Sequence, residues 1–316
     1  MLLITVLFTG AVIVPAAAQY DTMQFRYNAT HAGDYSPVAG RNTSKGQLTW
    51  NYTTGSVVDS SPAVVNGLVY VGSYDDNIYA LNASKGTKLW NYTTGDLVDS
   101  SPAVVNGLVY VGSYDDNIYA LNATTGAKVW NYTTKGLVDS SPSIANGVVY
   151  VGSDDNNVYA LNASNGTKLW NYTTSGSVES SPSIANGVVY VGSDDNNVYA
   201  LSASNGTKLW NYTTGGYVFS SPAVSNGVVY VGSEDNNIYA INATTGMKAW
   251  GYTTADWVLS SPAVVNGIVY VGSVDGNVYA IGSAAAVTSQ VTTPGFDIVL
   301  AFVGLVIIAH VVKRRR

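Results

Sequence analysis

Short apolar blocks alternate with polar turn residues over residues 41–282, and this pattern repeats every 40 residues without an insertion. Tryptophan marks the period, at Trp50, Trp90, Trp130, Trp170, Trp210 and Trp250. A period of this length is typical of repeat architectures, in which each repeat is one supersecondary unit. No stretch within the repeat has the i, i+3, i+4 spacing of an amphipathic helix, so the pattern favours strands.

Each repeat contains four predicted strands. In the first complete repeat they are Pro62–Val65, Leu68–Gly72, Ile78–Asn82 and Thr87–Thr94. The Asn66-Gly67 pair between the first two is a strong signal for a type I′ hairpin turn. Four antiparallel strands in 40 residues match the size of one β-propeller blade.

The strand count also predicts how the ring closes. The first three strand types occur six times and the last set ends at Ile281, so the sixth repeat lacks its own outer strand. Residues Lys45–Trp50 resemble Lys85–Trp90 and precede the first repeat. We therefore predict an all-β fold, a six-bladed β-propeller of 40-residue four-stranded blades over residues 41–282, with the ring closed by the N-terminal strand. An open solenoid would need capping repeats at both ends, and the sequence shows none.

Composition narrows the possible functions. Only 11% of the 316 residues are charged and 47% are hydrophobic, which is enough apolar material for a folded core. The net charge of -6 argues against nucleic acid as a partner. The absence of Cys excludes disulfides, thiolate catalysis and Cys-ligated metals, and the two His residues, His31 and His310, lie far apart in the sequence.

The two ends differ from the repeats. Residues 1–18 have the apolar run and small-residue cleavage site of a signal peptide, and residues 19–40 form a lead-in segment. Residues 283–296 are predicted to be a Ser/Thr linker with a sorting motif, and 297–316 a transmembrane or anchor segment with a basic tail. We expect an exported protein at the cell surface, anchored to the membrane at its C-terminus.

The motif Pro294-Gly295-Phe296, the apolar run after it and the terminal Arg cluster together resemble the PGF-type C-terminal sorting signal of archaeal surface proteins. The resemblance implies that the tail is removed and the protein is left lipid-anchored. A simple membrane anchor that is never cut is the alternative.

The repeat itself resembles the pyrroloquinoline quinone-like (quinoprotein-type) β-propeller repeat. The resemblance rests on SSPAVVNGLVYVGSYDDNIYALNASKGTKLW, with its Ser-Pro opening, Val-Tyr-Val-Gly-Ser strand, acidic turn, Tyr-Ala-Leu and closing Gly-x-x-x-Trp. The family includes quinone-dependent alcohol dehydrogenases, outer-membrane assembly scaffolds and many surface proteins. The resemblance therefore implies a fold more strongly than a function.

We expect that the chain is not an enzyme and holds no cofactor. The family's dehydrogenases have eight blades, a vicinal disulfide over the cofactor, a calcium ion and a catalytic Asp, whereas this chain has six repeats and no Cys. Near-identical blades place the same type of side chain at equivalent positions around the ring, whereas catalysis needs different functional groups close together at one point. A quinoprotein-like oxidoreductase or a carbohydrate-active surface enzyme is the alternative, with pyrroloquinoline quinone or calcium as possible cofactors.

Candidate binding residues lie where the repeat varies. In the loop before each inner strand, one position carries a carboxylate in four repeats, which we call the acidic arc: Asp59, Asp99, Asp139 and Glu179. In the last two repeats the same position carries Phe219 and Leu259, and the position two residues earlier carries Tyr217 and Trp257. We call these four large apolar residues the aromatic patch. In a propeller this loop and the second turn of the blade emerge on one face. Carboxylates beside aromatic rings suit sugars, cationic peptides or a partner protein, and drift in exposed loops is the alternative.

Three other columns of residues recur with the period. The Trp column is predicted to fill the gaps between blades. The second turn carries Asp75, Asp115, Asp155, Asp195, Asp235 and Asp275, which suit tight turns, with weak calcium sites as the alternative. Glycosylation sequons in the blades occur at Asn51, Asn82, Asn91, Asn122, Asn131, Asn162, Asn171, Asn211 and Asn242.

These observations predict a non-catalytic cell-surface β-propeller that is a binding or structural module of an archaeal cell envelope. Its partner would be a surface protein, glycan or peptide of unknown identity. It would meet the membrane through the C-terminal anchor, and it would not bind nucleic acid.

Overall fold

The computed structural model describes residues 22–23 and 48–282 of the chain. By backbone contacts the chain divides into Met1–Gly282 and Ser283–Arg316, and only the first unit contains described residues. The predicted signal peptide, most of the lead-in segment, the sorting motif and the anchor lie outside them. Within the described ranges no helix is long and apolar enough to cross a membrane.

All regular elements of the described residues are strands, and they repeat with the sequence. The first strand, β1, is Thr22–Met23. The innermost strands of the six blades are β2 Ala63–Val65, β6 Ala103–Val105, β10 Ser143–Ala145, β14 Ser183–Ala185, β18 Ala223–Ser225 and β22 Ala263–Val265. The second strands are β3 Leu68–Gly72, β7 Leu108–Gly112, β11 Val148–Ser153, β15 Val188–Gly192, β19 Val228–Gly232 and β23 Ile268–Gly272.

The third and outer strands complete the blades. The third strands are β4 Asn77–Asn82, β8 Asn117–Asn122, β12 Asn157–Asn162, β16 Asn197–Ser202, β20 Asn237–Asn242 and β24 Val278–Ile281. The outer strands are β5 Lys88–Thr93, β9 Lys128–Thr133, β13 Lys168–Thr173, β17 Lys208–Thr213 and β21 Lys248–Thr253. Each blade is an antiparallel meander, and β1 adds a short fifth strand to the free edge of β6.

The hairpin turns explain why the period is so regular. Asn66 and Gly67 have φ of 50° and 77°, so both central residues are in the left-handed region that a type I′ turn requires. The same pair recurs in every blade with positive φ. This confirms the turn predicted from sequence and fixes the register of each hairpin.

The core lies between the blades, and the Trp column builds it. The Trp90 indole Nε1 donates to the carbonyl oxygen of Ala123 in the next blade at 3.0 Å, and its ring packs against Tyr70 of its own blade at 5.9 Å. A side chain at Gly126 would collide with the Trp90 ring, since a Cβ there would lie 2.7 Å from it. The indole therefore fills the space between consecutive blades, and Gly is needed opposite it.

The structure corrects the predicted closure of the ring. Residues 48–54 form no strand, and the sixth sheet has only β22, β23 and β24, so no strand pairing joins its outer edge to these residues. Trp50 instead donates to the carbonyl of Ala83 in the first blade at 2.9 Å. This contact is equivalent to the one that Trp90 makes with Ala123 in the second blade. Val64 is 46% exposed whereas its equivalent Val104 is 2% exposed. Within the described residues, the first and last blades are therefore not joined as consecutive blades are.

Candidate functional site

Two sets of loops meet on one side of the blades, which we call the loop face: residues 54–59, residues 73–77 and their equivalents. The Tyr74 backbone NH donates to the Val57 carbonyl at 2.9 Å, and the Val98 NH donates to the Ser73 carbonyl at 3.1 Å. These bonds join the second turn of a blade to the loops that enter the same blade and the next one. All residues of the acidic arc and the aromatic patch therefore lie on this face.

The Asp column stabilises the second turn. The Asp75 Oδ2 accepts from the Tyr79 hydroxyl at 2.7 Å and from the Gly55 NH, and Oδ1 accepts from the Asn77 NH at 3.2 Å. Burial acts to raise the pKa of Asp75, but these hydrogen bonds lower it overall. Because both oxygens already have protein donors, the arrangement favours turn chemistry. In the described residues there is no group of three or more His, Cys, Asp or Glu side chains that could hold a metal ion.

Tyrosines join the first carboxylates of the acidic arc. The Tyr74 hydroxyl lies 2.9 Å from Asp99 Oδ2 and 3.4 Å from Asp59 Oδ2, so it bridges carboxylates of two blades. Burial raises the pKa values of Asp99 and Asp139, and a hydrogen bond from the Tyr114 hydroxyl to each carboxylate opposes that rise. A tyrosine between two carboxylates thus offsets part of their mutual repulsion in these blades.

In the next blades an acidic residue replaces the bridging tyrosine. The position of Tyr74 reads Tyr74, Tyr114, Asp154, Asp194, Glu234 and Val274 through the repeats. The substitution brings carboxylates together without a donor between them, and one buried oxygen each of Asp154 and Asp194 has no hydrogen-bond partner within the described residues. We call Asp139, Asp154, Glu179 and Asp194 the carboxylate cluster.

The protonation of the cluster reflects this crowding. Burial, reinforced by the charges of Asp99 and Asp154, raises the pKa of Asp139 to about 7. Burial, followed by the charges of Asp194 and Asp154, raises the pKa of Glu179 to about 7. The pKa of Asp194 is raised to about 6, again chiefly by burial. These side chains are close enough to repel one another across two adjacent blades.

Sequence reasoning missed Asp154, Asp194 and Glu234 as members of the site. The signal that could have found them is the same one that located the acidic arc, because their position also varies from blade to blade while its neighbours do not. Their nearness to Asp139 and Glu179 depends on packing between loops and cannot be read from one column alone.

The aromatic patch lies on the last two blades. The rings of Tyr217 and Phe219 contact each other edge to face, with centroids 5.9 Å apart. Trp257 and Leu259 lie on the following blade and are half-exposed, as is Tyr217. No ring contact joins Trp257 to the Tyr217–Phe219 pair within the described residues, so the patch consists of two separate apolar groups.

Charge is segregated between the two sides of the blades. Every Asp and Glu between residues 48 and 282 lies on the loop face, within the positions of residues 54–59 and 74–76 or their equivalents. Of the lysines in this range, only Lys135 lies in those loops, and the others are at the third turn or the start of the outer strand. The loop face is therefore an acidic surface whose field attracts cations.

The raised pKa values predict that acidification stabilises the fold. Between the unfolded pKa of an Asp, near 4, and the folded value of about 7, the folded state binds more protons, so stability falls as the pH rises. We expect Asp139→Asn to stabilise the protein by on the order of 2 kcal/mol at pH 8, after allowance for screening, and to have little effect at pH 5. Denaturant unfolding at both pH values measures this difference. Asp59→Asn on the exposed first blade is the control, and an equal gain there would contradict the crowding at Asp139.

Comparison with known proteins identifies the fold. The family described as outer membrane protein assembly factor BamB matches residues 30–134, 95–216 and 213–289. No curated protein sequence matches the chain. BamB from Moraxella catarrhalis has a similar structure, with 19% identity and a TM-score of 0.67 over 75% of this chain and 77% of that one.

Enzymes and a designed protein share the same fold. The quinohemoprotein alcohol dehydrogenase from Comamonas testosteroni is 17% identical with a TM-score of 0.69, over 81% of this chain and 58% of that chain. This chain thus spans less than two thirds of the dehydrogenase. The computationally designed Ika8 protein is 16% identical with a TM-score of 0.55, over 75% of this chain and 87% of that one. The blade architecture and the matches along residues 30–289 show that the chain belongs to the BamB family of β-propeller repeat proteins.

Proposed function

We propose that the chain is a non-catalytic β-propeller of the cell surface that binds a cationic segment of a partner protein at the carboxylate cluster. The observation that carries the proposal is the cluster itself, in which carboxylates crowd together without a bridging donor. Lysine or arginine side chains would supply the missing donors and relieve the repulsion. Charge-assisted hydrogen bonds of this kind are stronger than neutral ones.

The position of the cluster supports binding of an extended partner. Its members come from the third and fourth blades, and the aromatic patch follows on the fifth and sixth along the same face. A peptide or loop that crosses the face could place basic groups on the carboxylates and apolar groups near Tyr217 and Trp257. The similarity to a family described as an outer membrane protein assembly factor is also consistent with a protein partner.

The loop face does not suit pyrroloquinoline quinone. That cofactor is a tricarboxylate anion, and its binding needs cationic or neutral donors around the ring system. The most buried acidic side chains of this face, Asp139 and Glu179, are carboxylates with raised pKa values. They would repel the cofactor, so we do not favour the quinone-dependent oxidoreductase alternative.

The cellular setting is part of the proposal. An exported chain with the predicted signal peptide and C-terminal anchor would hold the propeller outside an archaeal membrane. The sequons at Asn82, Asn122, Asn162 and Asn242 lie at the ends of the third strands that are opposite the loop face. Glycans attached there would leave the carboxylate cluster open to a partner.

Binding of labelled peptides to the full chain tests the proposal. We expect a Lys/Arg-rich peptide to bind, with an affinity that falls as salt is added, and a Glu-rich peptide of equal length not to bind. Glu179→Gln should weaken binding about ten-fold or more, because it removes one charged acceptor. Fluorescence anisotropy gives both affinities.

A matched variant separates the cluster from general attraction to an acidic face. Asp96→Asn removes one negative charge from an exposed part of the same face, where the Asp96 carboxylate accepts from the neighbouring Leu97 NH. It should change the affinity by less than about two-fold. Equal losses for Asp96→Asn and Glu179→Gln, or no binding of the basic peptide, would contradict the proposal.

A further inference from the structure

Every blade has a donor side and an acceptor side. Between the first two blades, the Ser60 hydroxyl donates to the Ser100 carbonyl at 3.1 Å, and the Tyr70 hydroxyl donates to the Ala123 carbonyl at 3.1 Å. In each case the donor belongs to the earlier blade and the acceptor to the later one. The Ser–Ser bond recurs at every following junction, ending with Ser220 and Ser260. The interface is therefore directional, and each blade is complementary to a copy of itself.

Within residues 48–282, nothing packs against the donor side of the last blade. The Ser260 hydroxyl bonds to Gly272 of its own blade at 2.8 Å instead of to a next blade, and the half-buried Tyr270 hydroxyl has no partner within the described residues. Among the described strands, none pairs with the outer edge of β24. As a result Val278 is 81% exposed, whereas its equivalent Ile238 is 0% exposed.

The first blade has the matching acceptor side, with an outer-strand segment already attached. Residues 48–54 run along the first blade, with Trp50 bonded to Ala83 in the way that Trp90 bonds to Ala123. In the described residues this segment belongs to no sheet. The segment has the sequence of an outer strand but pairs with no described third strand, and it lies beside the first blade, where Val64 is exposed.

We propose that the last blade of one copy docks on the first blade of a second copy, so that residues 48–54 of the second copy become its fourth strand. The two docking surfaces are the donor and acceptor sides that meet at the five junctions within the chain. In one copy, the donor side of the last blade and the acceptor side of the first blade are both exposed. The register follows from β4 and β5, where Asn77 lies opposite Thr93 and Ile78 opposite Tyr92. It places Asn277 opposite Thr53, and Val278 opposite Tyr52, of the second copy. Such a head-to-tail interface joins unlike surfaces, so it can extend to further copies.

Because the chain has no Cys, engineered cysteines test this docking directly. The Thr93 hydroxyl lies 2.7 Å from Asn77 Oδ1, so the equivalent side chains at positions 53 and 277 would be close enough for a disulfide. We expect a mixture of full-length Thr53→Cys and Asn277→Cys chains to form a disulfide-linked heterodimer on mild oxidation. Each variant alone should form about ten-fold less dimer.

A blocking variant and a double variant complete the test. Within the chain, a Cβ at Gly72 would lie 2.5 Å from Val98, but at Gly272 the nearest atom of the same chain is 3.4 Å away. Gly272→Ala should therefore leave the melting temperature of the dilute monomer unchanged and reduce heterodimer formation about ten-fold or more. A chain that carries both cysteines should form crosslinked oligomers. If it forms an internal disulfide and stays monomeric, or if no disulfide forms in any mixture, the proposal is wrong.

Discussion

Replacing Trp130 with alanine is expected to lower the free energy of unfolding by about 3–5 kcal/mol. Its indole packs between two blades against Tyr110 and Gly166, and its Nε1 donates to the Ala163 carbonyl at 2.9 Å. The backbone of Gly166 is held in a turn with φ of 71°, so it cannot move in to fill the cavity. Guanidinium unfolding monitored by far-ultraviolet circular dichroism, a signal that does not depend on tryptophan fluorescence, measures the loss.

Val129 provides the matched control for this substitution. It precedes Trp130 on the same strand but is 48% exposed. Val129→Ala should therefore change the free energy of unfolding by less than about 0.5 kcal/mol. Similar losses at both positions would show that the Trp column does not hold adjacent blades together.

The second large effect is expected where backbones of adjacent blades meet. A Cβ at Gly152 would lie 2.2 Å from the carbonyl oxygen of Val178 and 2.5 Å from its Cγ1. A backbone oxygen cannot rotate away as a flexible side chain can, so Gly152→Ala must separate the two blades. We expect a loss of roughly 2–4 kcal/mol in the free energy of unfolding.

Gly272 occupies the same position in the last blade and serves as the control. The nearest atom to a Cβ there is the Ser260 Oγ at 3.4 Å, an ordinary contact. In dilute solution, where copies are separate, Gly272→Ala should change the melting temperature by less than about 2 °C. A loss as large as that of Gly152→Ala in a monomeric sample would show that another part of the same chain covers the last blade.

The strands and turns could be predicted from sequence because one short pattern determines each of them. The predicted strand Leu68–Gly72 has the bounds that the structure gives, and Ile78–Asn82 differs from β4 by one residue. The Asn66-Gly67 signal succeeded because a type I′ turn needs positive φ at both residues, and few other pairs adopt it.

Ring closure could not be predicted in the same way. The similarity of Lys45–Trp50 to an outer strand predicted that this segment completes the last blade, whereas Trp50 contacts the first blade through Ala83. Whether that segment also meets β24 depends on the angle between blades, which is set by side-chain packing summed over every junction. A sequence motif does not determine that angle.

The site was predicted in part for a related reason. Reading one variable position at a time located Asp139 and Glu179, but not the acidic residues that take the place of Tyr74 in later blades. These two positions are 15 residues apart in each repeat, and a backbone hydrogen bond between Tyr74 and Val57 brings their loops together. Burial raises the pKa values of Asp139 and Glu179 most, and the charges that this contact brings near add to the shift. Neither cause can be read from a single column of the repeat.

The identical junctions also bear on how such a gene can change length. Since the Ser hydroxyl and the Trp indole that donate to the next blade recur with the period, the loss or gain of one whole 40-residue unit joins two blades that already fit at these positions. Unequal recombination between repeats would therefore create arrays of a new blade number without a defective junction. In this fold, a single genetic event can therefore change the number of blades and still leave the contacts between neighbouring blades intact.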